Sequence, residues 1–334
     1  MRQVSHRPLV VVNPCAARAR RAWERVRRVL ELHDVGFDVD ETSAAGEAET
    51  RVRRALREGY QTVAAVGGDG TLSEVVRGFF ECASEGDAPP SPLNPGAALA
   101  ILPGGTGDDF ARGLTGRRAP LEEWAERLVA HCRSDDTANT TANTTANTTR
   151  SLDALYVTAS GGAGSFVCLN AATLGISANV LTRVGLQTGT VRRLPGEARF
   201  AWAAVGALAA WRNRRVRITV DDQTVECATN LLGVVNGRFV GGGMKFVPSA
   251  RPDDGLLDVI VACGITRAQA VRELARIHRG GHVANPKVIL KKGVRARVET
   301  LDPAEALVLE ADGDVRGQTP AEFRLMPGAL RVVW

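Results

Sequence analysis

The 334-residue sequence lacks several features that would place it in a specialised class of protein. Its six cysteines are scattered without a Cys-x-x-Cys pair, which argues against a disulfide framework or a structural zinc site. No apolar segment near residue 1 has the pattern of a secretory signal, and the most apolar stretch, residues 200–211, is too short to cross a bilayer. Lysine is scarce, with 4 Lys against 38 Arg. We therefore expect a cytoplasmic protein whose contact with a membrane is peripheral, at the inner face.

The bulk composition is that of a globular protein with room for two domains. Hydrophobic residues make up 44% of the chain and charged residues 24%, and the formal net charge of +5 favours anionic partners. Arginine is concentrated in residues 1–30 (eight Arg, one Glu) and in residues 192–217 (seven Arg, one Glu). No aromatic-interleaved basic motif or zinc-finger spacing accompanies these clusters, so nucleic acid is not an expected partner. An anionic membrane surface and ordinary solvated helix faces both explain the clusters.

The residue patterning predicts two domains of different class. Residues 1–136 alternate short apolar strands with amphipathic helices, which predicts a doubly wound α/β nucleotide-binding domain. Residues 150–334 consist mainly of short β runs with Gly-rich turns, which predicts an antiparallel β-sandwich whose last strand is free to return to the first domain. Two helical pieces, near 195–211 and 267–278, interrupt it. Between the domains, residues 137–149 repeat Thr-Ala-Asn-Thr, a low-complexity insertion or linker that cannot form a core.

Two glycine loops are the most informative local feature. Residues 67–71 read Gly-Gly-Asp-Gly-Thr between an apolar strand and a helix start, and residues 103–107 read Pro-Gly-Gly-Thr-Gly in the same context. Glycine permits φ > 0 and close approach of a ligand, and the N-terminus of the following helix attracts phosphate. A tight turn would also use glycine, but two such loops at the carboxyl edge of a parallel sheet favour phosphate binding. Neither loop has Walker A or dinucleotide-fingerprint spacing. Asp69 would repel a bare phosphate, which indicates that a divalent cation or an extra proton takes part.

Two acidic turns in the second half are further candidates. Asp-Asp-Gly at residues 253–255 is either a hairpin turn or a source of oxygen ligands for a hard cation. Glu-Ala-Asp-Gly-Asp at residues 310–314 places three acids around a glycine turn. Such a turn is structural more often than catalytic. Its acids gain a catalytic interpretation only if the interdomain cleft brings them to the glycine loops.

Taken together, these motifs resemble the diacylglycerol kinase catalytic-domain superfamily, and within it the soluble prokaryotic lipid-kinase branch related to sphingosine and ceramide kinases. In chain order the matching segments are Gly-Gly-Asp-Gly-Thr-Leu-Ser-Glu at 67–74, Pro-Gly-Gly-Thr-Gly-Asp-Asp-Phe-Ala-Arg at 103–112, Gly-Gly-Gly-Met at 241–244 and Asp-Asp-Gly-Leu-Leu-Asp at 253–258. Asn-Pro at 13–14 and Pro-Gly-Ala-Leu at 327–330 also fit. The resemblance therefore covers nearly the whole chain apart from the repeat.

The resemblance implies an NAD-kinase-like nucleotide-binding domain joined to a β-sandwich, with the active site between them. It implies ATP and Mg²⁺ as cofactors, a lipid alcohol at a membrane surface as the acceptor, and a homodimer as the family's habit. The implied ATP contacts are Asn13, Thr42, Gly67, Gly68, Asp69, Gly70, Thr71, Leu72, Ser73 and Thr106. The implied Mg²⁺ ligands are Asp254 and the backbone carbonyls of Arg251 and Leu256.

The chain departs from the family pattern at two positions. Asp108 stands where the family's Gly-Thr-Gly-Asn-Asp-Phe has Asn, and Asp314, the implied general base, replaces a Glu that is one methylene longer. Because about 1 Å of misplacement can lower a rate by roughly 10²-fold, reach decides whether Asp314 works, and Asp69 is the next candidate. We expect an ATP- and Mg²⁺-dependent lipid kinase. The alternatives are a soluble-metabolite kinase of the NAD kinase kind and a nucleotide- or lipid-binding regulator without catalysis.

Overall fold

The first half of the chain forms a parallel sheet covered by helices on both faces. The structure, a computed structural model, describes residues 7–14, 17–81, 88–138, 148–162, 164–188, 191 and 196–334. The strands run in the order β2-β1-β3-β4, all parallel, and β1 and β3 are buried along their whole length. The elements are β1 (Leu9–Val12), α1 (Ala17–Leu32), β2 (Asp38–Glu41), α2 (Glu47–Glu58), β3 (Thr62–Gly67), α3 (Asp69–Arg77), β4 (Ala98–Pro103), α4 (Asp109–Thr115) and α5 (Leu121–Ala138).

Local sequence explains this arrangement. The apolar runs of β1 and β3 are typical of strands with both faces covered. Helices α1 and α5 pack together over one face of the sheet, while α2 and α3 pack together over the other. Buried Val26 and Leu30 of α1 lie in the same core as the strand residues, and the arginines of α1 face outward. The expected doubly wound α/β domain is confirmed.

The second half is built mainly from antiparallel strands, as expected for a β-sandwich. The pairings among its own strands are antiparallel, and a separate apolar core lies between them. The elements are β5 (Thr149–Ser160), β6 (Ser165–Cys168), β7 (Ala171–Gly175), α6 (Ile176–Gly185), α7 (Gly196–Ala209), β8 (Arg214–Val220), β9 (Gln223–Thr229), β10 (Leu231–Val235), β11 (Phe239–Val240), β12 (Met244–Lys245), β13 (Leu257–Ala262), α8 (Arg267–Ile277), β14 (Val288–Gly293), β15 (Arg295–Thr300), β16 (Val308–Ala311) and β17 (Asp314–Val333).

Strand β17 connects the two halves. It pairs antiparallel with β5 along most of its length, and at its end Arg331 and Val332 pair in parallel with Ala98 and Leu99 of β4. A continuous sheet therefore runs from β2 through β4 and β17 into the second half. Because β4 leads into the second glycine loop, this loop is anchored to both halves of the chain.

Two elements differ from the sequence expectation. Helix α6 is a third helix of the second half, where only two were expected. Its sequence mixes β-branched with polar residues and gives no clear helical pattern, and it follows β7 directly through Gly175 (φ 98°).

Strand β17 begins at Asp314 and not near residue 330. Pro320, Pro327 and Gly328 concealed it in the sequence, and register shifts at these points let the ladder continue.

The repeat segment lies mostly outside the described residues. Helix α5 continues through Thr137 and Ala138, and β5 begins at Thr149. Residues 139–147 fall outside the described ranges, so the expectation of an insertion or linker stays a prediction. Over the part of the chain that the structure describes, no helix combines the length and apolar character needed to cross a bilayer.

Candidate active site

The two glycine loops lie directly against each other at the carboxyl edge of the parallel sheet. The backbone N–H of Gly104 donates to the carbonyl of Gly67 at 2.8 Å. A Cβ atom on Gly105 would lie 2.5 Å from the Cα of Gly68, so any side chain there would clash with backbone. Gly68 has φ −88°, and neither Gly67 nor Gly70 is left-handed. The expectation of φ > 0 in this loop is therefore wrong. Close backbone approach, not unusual dihedral angles, requires glycine there.

Asp69, the first residue of α3, lies beside a second acid that the sequence analysis did not place in the site. Its Oδ1 accepts a hydrogen bond from the backbone N–H of Phe110 at 3.2 Å. Burial, together with the neighbouring charge of Asp109, raises the pKa of Asp69 to about 6. Burial likewise raises the pKa of Asp109, which is only 4% exposed. An acid with a pKa near neutrality can both hold and release a proton at physiological pH, which suits general acid–base chemistry.

The second half reaches this acidic pair through the turn Gly241–Gly243. Asp109 Oδ2 accepts a hydrogen bond from the N–H of Gly242 at 2.7 Å. The three glycines have φ of 61°, 86° and 116°, a succession that other residues adopt only with strain. A Cβ atom on Gly107 would lie 3.1 Å from Asp69 Oδ2 and 3.2 Å from Gly242 Cα. Both glycine loops and the Gly241–Gly243 turn therefore meet at Asp69.

Asp312 anchors the 310–314 turn against the first domain. Its carboxylate accepts the hydroxyl of Ser73 in α3 at 3.0 Å. The same carboxylate accepts three backbone N–H groups, from Leu169 at 2.8 Å, Asn170 at 2.9 Å and Ala171 at 3.1 Å. Asp312 itself is left-handed, with φ 48°. With its oxygens occupied in this way, Asp312 holds the turn in place beside α3.

The two other acids of this turn have contrasting environments. The side chain of Asp314 is 60% exposed, and its Oδ2 accepts from Arg316 Nη2 at 2.9 Å. Glu310 accepts the N–H of Gly313 at 2.6 Å and the hydroxyl of Thr173 at 2.5 Å. Burial raises the pKa of Glu310 to about 7. Asp314 therefore remains open to solvent, whereas Glu310 is partly shielded from it.

The residues expected to contact ATP are distributed along one edge of the sheet. Asn13 follows β1, Thr42 follows β2, residues 67–71 follow β3 and Thr106 lies exposed after β4. Thr42 is buried, and its N–H donates to Val12 at 2.9 Å. Two of the expected side chains face inward. Leu72 belongs to the core, and the hydroxyl of Ser73 is bonded to Asp312. The individual ATP contacts stay predictions.

Asp254, one of the residues expected to bind Mg²⁺, contacts an ammonium group. Asp254 Oδ1 accepts the N–H of Leu256 at 3.2 Å, and Asp254 Oδ2 accepts Lys292 Nζ at 2.9 Å. The pairing of β13 with β14 sets Lys292 opposite Asp258, whose Oδ2 lies 3.2 Å from Nζ. Asp258 is buried, and burial raises its pKa. The residues therefore fit a cation, and any Mg²⁺ at Asp254 has to compete with Lys292.

Comparison with known proteins assigns a family to each half of the chain. Residues 7–140 match the diacylglycerol kinase catalytic domain, and residues 173–334 match the YegS C-terminal NAD kinase beta sandwich-like domain. These two matches correspond to the parallel-sheet half and to the antiparallel half of the structure. They also contain all three segments that meet at Asp69.

Individual relatives match over most of their length. A probable lipid kinase YegS-like protein of Xanthomonas axonopodis pv. citri is 31% identical over 308 residues, covering 91% of this chain and 88% of the relative. One from Pseudomonas aeruginosa is 35% identical over 289 residues, covering 86% and 81%. A diacylglycerol kinase of Staphylococcus carnosus is 27% identical over 327 residues, covering 95% and 91%.

A solved structure shares the fold. The crystal structure of a diacylglycerol kinase from Bacillus anthracis superimposes with a TM-score of 0.66 at 18% identity, covering 98% of this chain and 97% of that one. The motifs at the interdomain site, the two domain matches and the full-length relatives agree with one another. The chain belongs to the diacylglycerol kinase catalytic-domain superfamily, in its YegS-like lipid kinase family.

Proposed function

We propose that this protein transfers the γ-phosphoryl group of ATP, in the presence of Mg²⁺, to the hydroxyl of a membrane lipid such as diacylglycerol or another lipid alcohol. The observation that carries the proposal is the convergence of two glycine loops and the Gly241–Gly243 turn on Asp69, whose pKa lies near 6. Such a site offers backbone N–H groups to phosphates and a proton acceptor close to them. Phosphoryl transfer depends mainly on positioning and on stabilising charge, which this arrangement can supply.

Each residue has an assigned task in this proposal. The N–H groups at the start of α3 hold the phosphates, with Thr106 at their other side. Asp314, exposed and 2.9 Å from Arg316, takes the proton of the acceptor hydroxyl, and Asp69 is the second candidate for this role. Mg²⁺, when bound at Asp254 and the carbonyls of Arg251 and Leu256, supplies positive charge that offsets the phosphates.

Surface features support a peripheral contact with a membrane. Arg18, Arg21, Arg25 and Arg28 form an exposed stripe along α1, spaced three to four residues apart. On the paired helices α6 and α7, or at their ends, Leu186 is 74% exposed and Trp202 is 64% exposed. Exposed basic stripes and exposed apolar or aromatic side chains are each typical of surfaces that lie against lipid headgroups. Association into a homodimer stays a prediction.

The decisive test is phosphoryl transfer from labelled ATP to a total lipid extract, resolved by thin-layer chromatography. We expect a labelled lipid phosphate with the wild type and strongly reduced labelling with Asp69→Asn. Label that enters only a soluble-metabolite fraction would support the kinase of the NAD kinase kind instead. ATP binding by calorimetry without transfer to either fraction would support the regulator and overturn the proposal.

A further inference from the structure

A charged cleft of about 430 Å³ lies beside the second glycine loop, between α1, α4 and the start of α5. Its wall on the sheet side is Gly104 and Gly105. Leu121 and Pro120 form an apolar wall at the other side. The charged lining residues are Arg18, Arg21, Arg25, Arg112, Arg118 and Asp108, which is five arginines against one acid.

Protein contacts already satisfy the single acid of the cleft. Asp108 is 7% exposed, its Oδ1 accepts the N–H of Gly105 at 2.8 Å and its Oδ2 accepts Arg118 Nη2 at 3.1 Å. Arg25 is likewise paired, with Glu122 at 2.5 Å. Asp108 therefore does not cancel the charge of the remaining arginines. It holds Arg118 and the second glycine loop in fixed positions around the cleft.

Two arginines of the cleft keep an uncompensated charge. Arg18 and Arg21, in the first turns of α1, are exposed and pair with no carboxylate of the described residues. Arg112 donates to the backbone carbonyl of Gly107 at 3.1 Å, and the nearby Asp109 carboxyl partly offsets its charge. Guanidinium groups match the geometry of phosphate oxygens, and several of them around one concave site favour a doubly charged anion.

We propose that this cleft binds a phosphomonoester, and that the phosphate of a phosphorylated lipid is its ligand. Arg18 and Arg21 are the residues that hold the phosphate, while the wall formed by Leu121 and Pro120 lies against the body of the ligand. The choice of a lipid source rests on the proposed function. The recognition of a phosphomonoester rests on the cleft alone. A soluble phosphomonoester is the alternative ligand, and the test separates it from a phosphorylated lipid.

The test measures sedimentation with phosphatidylcholine vesicles that contain either phosphatidic acid or, at equal surface potential, phosphatidylglycerol. We expect the wild type to bind phosphatidic acid vesicles about tenfold more tightly than the phosphodiester vesicles. The double variant Arg18→Gln/Arg21→Gln should lose this preference. Arg28→Gln is the matched control, because Arg28 continues the same exposed stripe of α1 but does not line the cleft. Calorimetry with glycerol 3-phosphate measures the soluble source.

Each outcome decides the proposal. Equal binding to both vesicle types without binding of glycerol 3-phosphate, or equal losses in the double variant and in Arg28→Gln, would show a diffuse basic surface and overturn it. Loss of glycerol 3-phosphate binding at saturating ATP would assign the cleft to the nucleotide and overturn it as well. Tight glycerol 3-phosphate binding without preference between the vesicles would overturn the lipid source. These experiments measure binding and not turnover. A failure of the proposed kinase activity is therefore distinguishable from a failure of the proposed phosphomonoester binding in the cleft.

Discussion

Ser73 and Asp312 are 239 positions apart in the chain, yet the Ser73 hydroxyl donates to Asp312 Oδ2 at 3.0 Å. Ser73 belongs to the helix that follows the first glycine loop, and Asp312 belongs to the turn that presents Asp314. The same Ser73 oxygen accepts Arg77 Nη1 at 2.7 Å. This chain of contacts fixes the position of the Asp314 turn relative to the first glycine loop. Two domains with separate cores are thereby joined into one site.

Substitutions in the first glycine loop should separate ligand binding from folding. A Cβ atom on Gly70 meets nothing within 4 Å, so Gly70→Val should leave the thermal unfolding midpoint nearly unchanged while it blocks the face offered to phosphate. A Cβ atom on Gly67 would lie 2.6 Å from the Thr71 side chain, so Gly67→Val should cost about 1–3 kcal/mol of stability. Calorimetric ATP titration and thermal unfolding give the two readouts. Unchanged ATP affinity in Gly70→Val would remove the loop from the nucleotide site.

Substitution of Asp314 should impair catalysis and have little effect on the stability of the protein. Its exposed carboxylate contacts Arg316 only two residues away, so Asp314→Asn should fold normally but lower turnover by about 10²–10⁴-fold with little change in ATP affinity. Asp314→Glu should keep substantial activity, since it restores the longer acid of the family. Full turnover in Asp314→Asn would transfer the role of base to Asp69.

Asp312 should show the opposite behaviour. Its carboxylate accepts three backbone N–H groups and the Ser73 hydroxyl, and an amide would turn an N–H₂ group toward some of these donors. We expect Asp312→Asn to destabilise the protein by about 1–3 kcal/mol in urea unfolding. Ser73→Ala, which removes the interdomain bond alone, is the matched control and should cost less. Wild-type stability in Asp312→Asn would contradict this anchoring role.

Glu310 should make stability depend on pH in a defined direction. Its folded pKa of about 7 exceeds the ordinary value of 4.5, so between these values the folded protein binds a proton that the unfolded chain has released. The contribution of Glu310 to stability therefore increases as pH falls from 8 to 5. Glu310→Gln should be more stable than the wild type at pH 8, by up to about 3 kcal/mol, since one pKa unit corresponds to about 1.36 kcal/mol.

This gain should vanish only well below the ordinary pKa of 4.5, where Glu310 is protonated in both states. Urea unfolding of both proteins across this range is the measurement. Glu226→Gln, on the exposed hairpin of β8 and β9, is the matched Glu→Gln control. A constant difference between Glu310→Gln and the wild type at all pH values would exclude a titration of Glu310.

Lys292 should limit the affinity of Mg²⁺ for Asp254. The ammonium lies 2.9 Å from Asp254 Oδ2 and 3.2 Å from Asp258 Oδ2, where it competes with a divalent cation. Lys292→Met should therefore increase Mg²⁺ affinity, seen as a larger rise of the unfolding midpoint with added MgCl₂ and stronger binding in calorimetry. Lys291→Met, which alters the neighbouring lysine bonded to Gln223, is the control. No response to Mg²⁺ in Lys292→Met would exclude Asp254 as a ligand.

The sequence by itself determined the fold class and the position of the glycine loops. These features depend on local patterns. The buried run at residues 63–66 is apolar throughout, and glycines follow it where the strand ends, so the strand, turn and helix are set by neighbours in the chain. Strand β17 was only partly visible, because its prolines and Gly328 break the local pattern while pairing with β5 maintains the strand.

Only the tertiary structure decided which acids anchor the site and which remain available. Asp312 and Asp314 are equivalent in the sequence, but contacts with Ser73 and residues 169–171 occupy Asp312 and leave Asp314 exposed. Asp109 became a site residue through Gly242, which is 133 positions away. Side-chain roles of this kind depend on distances between segments that only the packing of two domains creates. No local pattern of residue types contains those distances.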